Sequence, residues 1–288
     1  MVQTSPTANA VRDEAWFTGT GGVRLFERSW RPAAATKAAV VLVHGYAEHS
    51  GRYDHVGEAL ATAGYAVHAY DQRGHGRSEG ERALVRSMDE YLDDLDVFMA
   101  LIAARHDAAT PVFILGHSMG GGIVTLHAIE RRPNVRGVLL SGAAVMGEQR
   151  LGVRGWIIAT VGRFFPKLPL VKLEAETVSR DPDVVRLYDA DPLNYRGCMK
   201  AGLVAAMMRG SQRIARGMTS IRYPLLIMHG TEDALVPSEA STRLYEAASS
   251  EDKTLKLYDG LYHEIFNEPE RHGVFADLIA WLDARASI

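Results

Sequence analysis

The sequence has a single cysteine, Cys198, so no intramolecular disulfide can form and a small stapled scaffold is excluded. It also lacks an excess of either charge: 32 Lys and Arg stand against 35 Asp and Glu, a net of −3. Without surplus basic charge to replace counterions along a phosphate backbone, a polycationic nucleic-acid binder is excluded. No run approaches the roughly 18 uncharged apolar residues that a bilayer-spanning helix needs. The most apolar candidate, residues 155–162, is closed off by Arg154 and Arg163. Paired-cysteine and H-E-x-x-H spacings are missing, as are G-x-G-x-x-G and P-loop patterns, so neither a metal nor a nucleotide cofactor is expected. The first seven residues have neither the basic nor the apolar region of a cleavable signal, and a cytoplasmic protein is the expectation. Internal repeats and low-complexity tracts are absent.

What remains is an ordinary globular composition, 47% hydrophobic and 23% charged over 288 residues. That length suits two units, or one large α/β domain with an insertion. Short apolar runs at 39–43, 65–70, 112–115, 138–140 and 225–228 read as strands buried on both faces, as in a parallel sheet. Helix-period segments lie between them. Residues 55–63 put Val56, Leu60 and Ala63 on one side, and residues 88–102 do the same with Tyr91, Leu92, Leu95, Phe98, Met99 and Ile102. This alternation predicts right-handed crossovers and a doubly wound α/β sheet. Ahead of it, Gly19-Thr20-Gly21-Gly22 followed by alternating Val23, Leu25 and Glu27 predicts an antiparallel hairpin. From about 143 to 222 the rhythm breaks into helical, Pro-punctuated, apolar sequence, read as a helical cap inserted between core segments 1–142 and 223–288.

Gly116-His117-Ser118-Met119-Gly120 follows the strand at 112–115 and precedes a helix expected to start near Gly121. A turn tight enough to thrust Ser118 outward leaves no room for neighbouring β-carbons, and the flanking glycines supply that room. Serine alone is a poor nucleophile, so a base and an acid that orients it are required. Of eleven histidines, His55, His106 and His127 fall in or at the ends of helices and His68 falls in a strand. His44 and His229 close strands, where a turn or packing role suffices. His263 lies in the loop after the last strand, 255–258, where the base belongs in the chain order Ser, acid, His. The loop after 225–228 offers the acid, Asp233 in preference to Glu232 or Asp259. Two backbone N–H groups must hold an oxyanion: Met119 by position, and Tyr46 in His44-Gly45-Tyr46, which could otherwise be only a tight turn.

Together these residues resemble the α/β-hydrolase fold and specifically the monoglyceride lipase family, over nearly the whole chain, from about Gly22 to Trp281. The resemblance extends to residues 44–53, His44-Gly45-Tyr46-Ala47-Glu48-His49-Ser50-Gly51-Arg52-Tyr53, and to Asp71-Gln72-Arg73-Gly74-His75-Gly76-Arg77-Ser78. It continues through Ser179-Arg180-Asp181-Pro182 and Tyr188-Asp189-Ala190-Asp191-Pro192-Leu193, its most specific segment, then residues 229–237 and 262–269. It implies hydrolysis of the ester bond of a monoacylglycerol to glycerol and a free fatty acid. Glu48, Arg52 and Tyr188 would line the head-group pocket, although Glu48 and Arg52 could simply pair at i,i+4. Some family members carry a second histidine where this chain has Phe266. The loop 71–78 reads as structural, with Asp71 satisfying backbone donors. Cap residues Trp156, Ile157, Ile158, Phe164, Phe165, Leu168 and Leu170 are expected either to admit the acyl chain and touch a membrane surface or to pack inward. Ile157, Ile158, Phe164 and Leu170 are the expected acyl-chain contacts. Rival readings are a carboxylesterase or lysophospholipase with the same triad, and a non-catalytic ligand receptor on the same fold.

Overall fold

The computed structural model describes residues 10–145 and 152–286; the N-terminal stretch read for a signal and residues 146–151 of the cap interval lie outside the described residues. In chain order the elements are β1 (Ala10–Thr18), β2 (Arg24–Pro32), β3 (Ala38–Val43), α1 (Asp54–Thr62), β4 (Tyr65–Tyr70) and α2 (Asp89–Arg105). Then come β5 (Val112–His117), α3 (Met119–Glu130), β6 (Gly137–Ser141), α4 (Gly152–Phe164), β7 (Pro169–Val171) and α5 (Pro182–Ala190). The chain continues with β8 (Met199–Lys200), α6 (Ala201–Gly217), β9 (Leu225–Gly230), α7 (Glu239–Ala247), β10 (Lys253–Tyr258) and α8 (Arg271–Ala286).

The eight-stranded sheet runs β1-β2-β4-β3-β5-β6-β9-β10. Only β1–β2 and β2–β4 pair antiparallel; the other neighbours are parallel, as continuous apolar runs such as Ala38–Val43 and Tyr65–Tyr70 require. After β3 the chain first builds β4 on one side and then returns to place β5 on the other. The strand order therefore reverses between β3 and β5, and a crevice opens at their carboxyl ends. One core lies on the sheet face covered by α2, α3 and α7, with Leu95, Phe98, Ile123, Leu126 and Leu244. The opposite core, under α1 and α8, holds Val56, Leu60, Leu278, Trp281 and Leu282.

Three details differ from the sequence reading. Helix α3 starts at Met119, two residues earlier than expected, so Ser118 itself is its N-cap residue. Strand β2 is not a one-sided alternation: Leu25, Phe26, Glu27 and Arg28 are all buried, because the Arg105 guanidinium covers Glu27 at 2.6 Å while Arg28 reaches Asp54 at 3.2 Å. The interval between β6 and β9 is not purely helical. Pro169–Val171 pairs antiparallel with Met199–Lys200 in a two-stranded ribbon too short for any periodicity to announce. Helix α6, within the same interval, packs on α3 and gives Leu203, Ala206 and Ile214 to the main core.

Candidate active site

The bend after β5 depends on backbone passing close to backbone. A β-carbon on Gly120 would sit 2.2 Å from the carbonyl oxygen of Val43, and one on Gly116 would sit 2.5 Å from the Gly120 carbonyl oxygen. Ser118 between them adopts φ +52°, a strained conformation for a residue with a side chain. Its hydroxyl does not cap α3 and forms no hydrogen bond among the described residues, so it is free for substrate and base. The N–H groups of Met119 and Tyr46 are likewise unengaged among the described residues. These are the two donors expected of an oxyanion hole, and they lie just beyond the ends of β5 and β3, the strands that flank the crevice.

The loop carrying Tyr46 is held from below. The Gly45 N–H donates to Glu48 Oε1 at 2.5 Å, and the Tyr53 hydroxyl donates to the same oxygen at 2.7 Å. Burial drives His44 down to about 3, so the ring is neutral. Its Nδ1 faces the Gly45 carbonyl at 2.8 Å while Nε2 accepts the Gln72 N–H at 2.9 Å. His44 therefore does more than close a strand: it ties the loop carrying Tyr46 to the loop after β4. There Asp71 accepts from the Ser50 and Arg77 amides, each at 2.8 Å, the structural role read from its sequence.

Asp233 and His263 come from the loops after β9 and β10. Those loops are bound to each other by Glu232 N–H to the Leu261 carbonyl at 3.0 Å and Thr231 N–H to the Tyr258 carbonyl at 2.9 Å. Asp233 Oδ2 accepts from His263 Nδ1 at 2.6 Å, and Oδ1 accepts the Leu235 and Val236 amides at 2.8 and 2.9 Å. Burial pushes the Asp233 carboxyl up, yet hydrogen bonds from His229 and His263 outweigh it and hold the group well below the ordinary carboxylate range. Burial pulls His263 down, but the Asp233 hydrogen bond and charge prevail and raise it above its ordinary 6.5. Ser118 and His263 line one narrow recess, of about 20 Å³, with Glu48, Tyr188, His117 and Glu264. Neither Glu232 nor Asp259 takes the acid's place: Asp259 faces Thr231 at 3.4 Å.

A pH dependence follows. A general base works only when unprotonated, so kcat/KM should fall tenfold per unit on the acid side, with an inflection above the 6.5 of free imidazole. A pH profile on a water-soluble ester checks this; an inflection below 6.5 would contradict the His263–Asp233 pairing.

The other expected contacts divide. Glu48 and Tyr188 are on the recess wall. Arg52 is behind it, its guanidinium 2.5 and 2.8 Å from the two Glu264 oxygens, 3.2 Å from Glu48, and stacked over the Tyr188 ring at 4.6 Å. The ion pair at i,i+4 is present, and Arg52 stands behind the recess wall without being part of it. Burial, offset by Arg52 and reinforced by Glu264, leaves Glu48 pushed up to about 7. Phe266 is packed against Phe275 in the core under α8, away from the recess.

The four expected acyl contacts fall in α4 and β7. Ile157, Phe164 and Leu170 are exposed and Ile158 is half-buried, and none is among the described residues that line the two cavities meeting at Ser118. The apolar cavity at Ser118, about 340 Å³, is walled by Met88, Leu126, Met199, Met207, Ile214 and Leu235, with Tyr46 and Met119 at the serine. Val204, Met207, Met208, Ser211 and Ile214 recur on α6 at helical spacing, a signal that could have found this wall. His229 was also missed, since no spacing rule links a strand-end histidine to the acid four residues on. No group of three or more His, Cys, Asp or Glu among the described residues could hold a metal ion. No described helix is long and apolar enough to cross a membrane.

Comparison with known proteins adds an independent line. Residues 34–270 match the family described as Serine aminopeptidase, S33. The chain is 40% identical to the Monoacylglycerol lipase of Mycolicibacterium smegmatis over 95% of its own length and 98% of the relative's. It is 32% identical to the human Monoglyceride lipase, covering 98% of this chain and 94% of that one. Among solved structures, the monoacylglycerol lipase of Paleococcus ferrophilus superposes with a TM-score of 0.79 at 31% identity, covering 96% of this chain and 99% of that one.

Proposed function

Because the chain belongs to the monoglyceride lipase family of α/β-hydrolases, a carboxylic ester hydrolase family, we propose that it releases glycerol and a fatty acid from monoacylglycerols through an acyl-enzyme on Ser118. The observation that carries this reading is the position of Ser118. It stands where an apolar cavity of about 340 Å³ meets a small polar recess, beside two unengaged backbone N–H groups. Such a division fits a substrate with one alkyl chain and one polyol head on either side of a single ester.

In the first step Ser118 Oγ attacks the ester carbonyl while its proton passes to His263 Nε2. The oxyanion is taken by the Tyr46 and Met119 amides and by the positive end of α3. Collapse breaks the bond to glycerol, which leaves with the proton from His263. Water, deprotonated by the same imidazole, then attacks the acyl-enzyme and frees the fatty acid and Ser118. Asp233 stays ionised throughout and keeps the His263 proton on Nδ1. Glu48 and Tyr188 offer the recess its polar groups for the glycerol hydroxyls.

The interval 143–222 serves as a lid over this crevice. It contributes the α6 wall of the cavity, and the Glu264 amide next to His263 donates to the Val178 carbonyl within it at 2.8 Å. Its outer side presents Trp156, Phe164 and Phe165 at 69%, 67% and 67% exposure, beside Leu168 and Leu170. An apolar patch of this kind suits transient contact with the lipid surface where a monoacylglycerol resides. The triple change of Trp156, Phe164 and Phe165 to Asp should abolish co-sedimentation with phosphatidylcholine vesicles while retaining turnover of a soluble ester. Unaltered sedimentation would remove the lipid-contact role.

Glycerol release from monoolein, with lysophospholipids and short p-nitrophenyl esters alongside, tests the substrate. Preference for either of the latter would replace the proposal with the corresponding esterase, and no turnover with any of them would favour a ligand receptor. Met207→Trp, which fills the cavity, should cut the preference for monoolein over monobutyrin by roughly 10-fold or more, in line with the value of a few methylenes in an apolar pocket. An unchanged preference would put the acyl chain elsewhere.

A further inference from the structure

Residues 225–230, Leu225-Leu226-Ile227-Met228-His229-Gly230, form a buried strand whose last side chain before the turn is an imidazole. His229 is fully buried, and each of its ring nitrogens has a partner. Nε2 lies 2.9 Å from Asp233 Oδ2 and 2.9 Å from the Val236 carbonyl oxygen. Both are acceptors, so Nε2 carries the proton. Nδ1 then accepts the hydroxyl of Ser241, on α7, at 2.6 Å. The result is a continuous chain: Ser241 donates to His229, His229 donates to Asp233 Oδ2, and His263 donates to that same oxygen from the other side at 2.6 Å.

Aim is not what His229 supplies. Asp233 Oδ1 is already pinned by the Leu235 and Val236 amides, which fix the plane of the carboxylate. What a second donor changes is the electron density left on Oδ2, since a hydrogen bond to the charged form lowers that oxygen's proton affinity. We propose that His229 is a positioning residue acting through Asp233: it divides the charge of Oδ2 between two imidazoles and keeps His263 less basic than an undivided carboxylate would make it. The consequence is functional, because a base held too far above the working pH stays protonated and idle. Ser241 polarises His229 by donating to Nδ1, which strengthens the Nε2–H donor.

The charged and titratable groups facing this pair come from every surrounding element. They are Asp233 and His229 from β9 and its loop, His117 from β5, and Glu48 and Arg52 from the segment after β3. Glu264 adjoins His263 itself. All but His229 stay in place in the variants below.

The inference rests on the Ser118–His263–Asp233 reading, and one experiment separates the two. The acid limb of kcat/KM is measured on monobutyrin for the native chain, His229→Leu, His229→Gln and Ser241→Ala, with Ser118→Ala as reference. His229→Leu should move the limb upward by about 0.5–1 pH unit, the scale of one hydrogen bond to a carboxylate. Ser241→Ala should move it upward by less, and His229→Gln, whose amide retains an N–H donor, should return it to the native position. A limb that stays or falls in His229→Leu, or a Gln variant that behaves like Leu, overturns the inference. Should neither His229 variant fold, an unmoved or lowered limb in Ser241→Ala overturns it alone. Turnover persisting in Ser118→Ala would instead sink the underlying triad.

Discussion

Asp233→Asn should cost roughly 10⁴ in kcat, and Ser118→Ala roughly 10⁶, with both proteins folded. The first loss can be derived from this chain's own hydrogen bonds. Asp233 Oδ1 accepts two backbone amides, so the carbonyl oxygen of an asparagine must take that place. Its NH2 group is then forced into the position of Oδ2, opposite the N–H groups of both His263 and His229. Donor would face donor on two sides. His263 can relieve the clash only by moving its proton to Nε2, the nitrogen that must accept from Ser118. A kcat within tenfold of native for Asp233→Asn would mean that the acid lies elsewhere.

Gly120→Ala should destabilise the protein strongly. The new methyl would lie 2.2 Å from the Val43 carbonyl oxygen and 2.4 Å from that of His44, both backbone atoms with no rotamer to escape into. Overpacking of this kind costs on the order of 3 kcal/mol, several degrees in Tm for a chain this long. Because His44 leads directly into the Tyr46 amide, surviving protein should also lose turnover. Gly273→Ala on α8 is the control: nothing lies within 4 Å of its added methyl, and helix propensity favours the change by about 0.5–1 kcal/mol. Thermal denaturation of the two variants beside the native chain reads both effects. Equal Tm for Gly120→Ala and native would contradict the close strand-to-helix packing.

Much of this was legible in the residues themselves. Runs such as Ala39-Val40-Val41-Leu42-Val43 announce strands buried on both sides, and G-x-S-x-G between a strand and a helix announces the bend. Loops that follow strands then narrow eleven histidines to His263 and three carboxylates to Asp233. What stayed hidden depends on contacts between distant segments. Nothing in Trp156 to Leu170 says which side turns toward α6 and which toward solvent, and the cavity wall formed by Met207 and its neighbours is visible only once α6 is packed on α3. Arg52 was read by its i,i+4 neighbour, yet its stronger partner is Glu264, 212 positions away. The strands β7 and β8 of the ribbon are three and two residues long, below the length at which alternation means anything. His229 read as packing because its partner, Asp233, is reached only across the turn that closes β9.

The central claim is that Ser118 forms the covalent intermediate, and labelling tests it most directly. The protein is treated with a fluorophosphonate, digested, and the modified peptide located by mass spectrometry. A single adduct on Ser118, lost in Ser118→Ala and slowed strongly in Asp233→Asn, is the predicted result. Modification of another residue, or none at a concentration that labels a control serine hydrolase fully, would contradict the account.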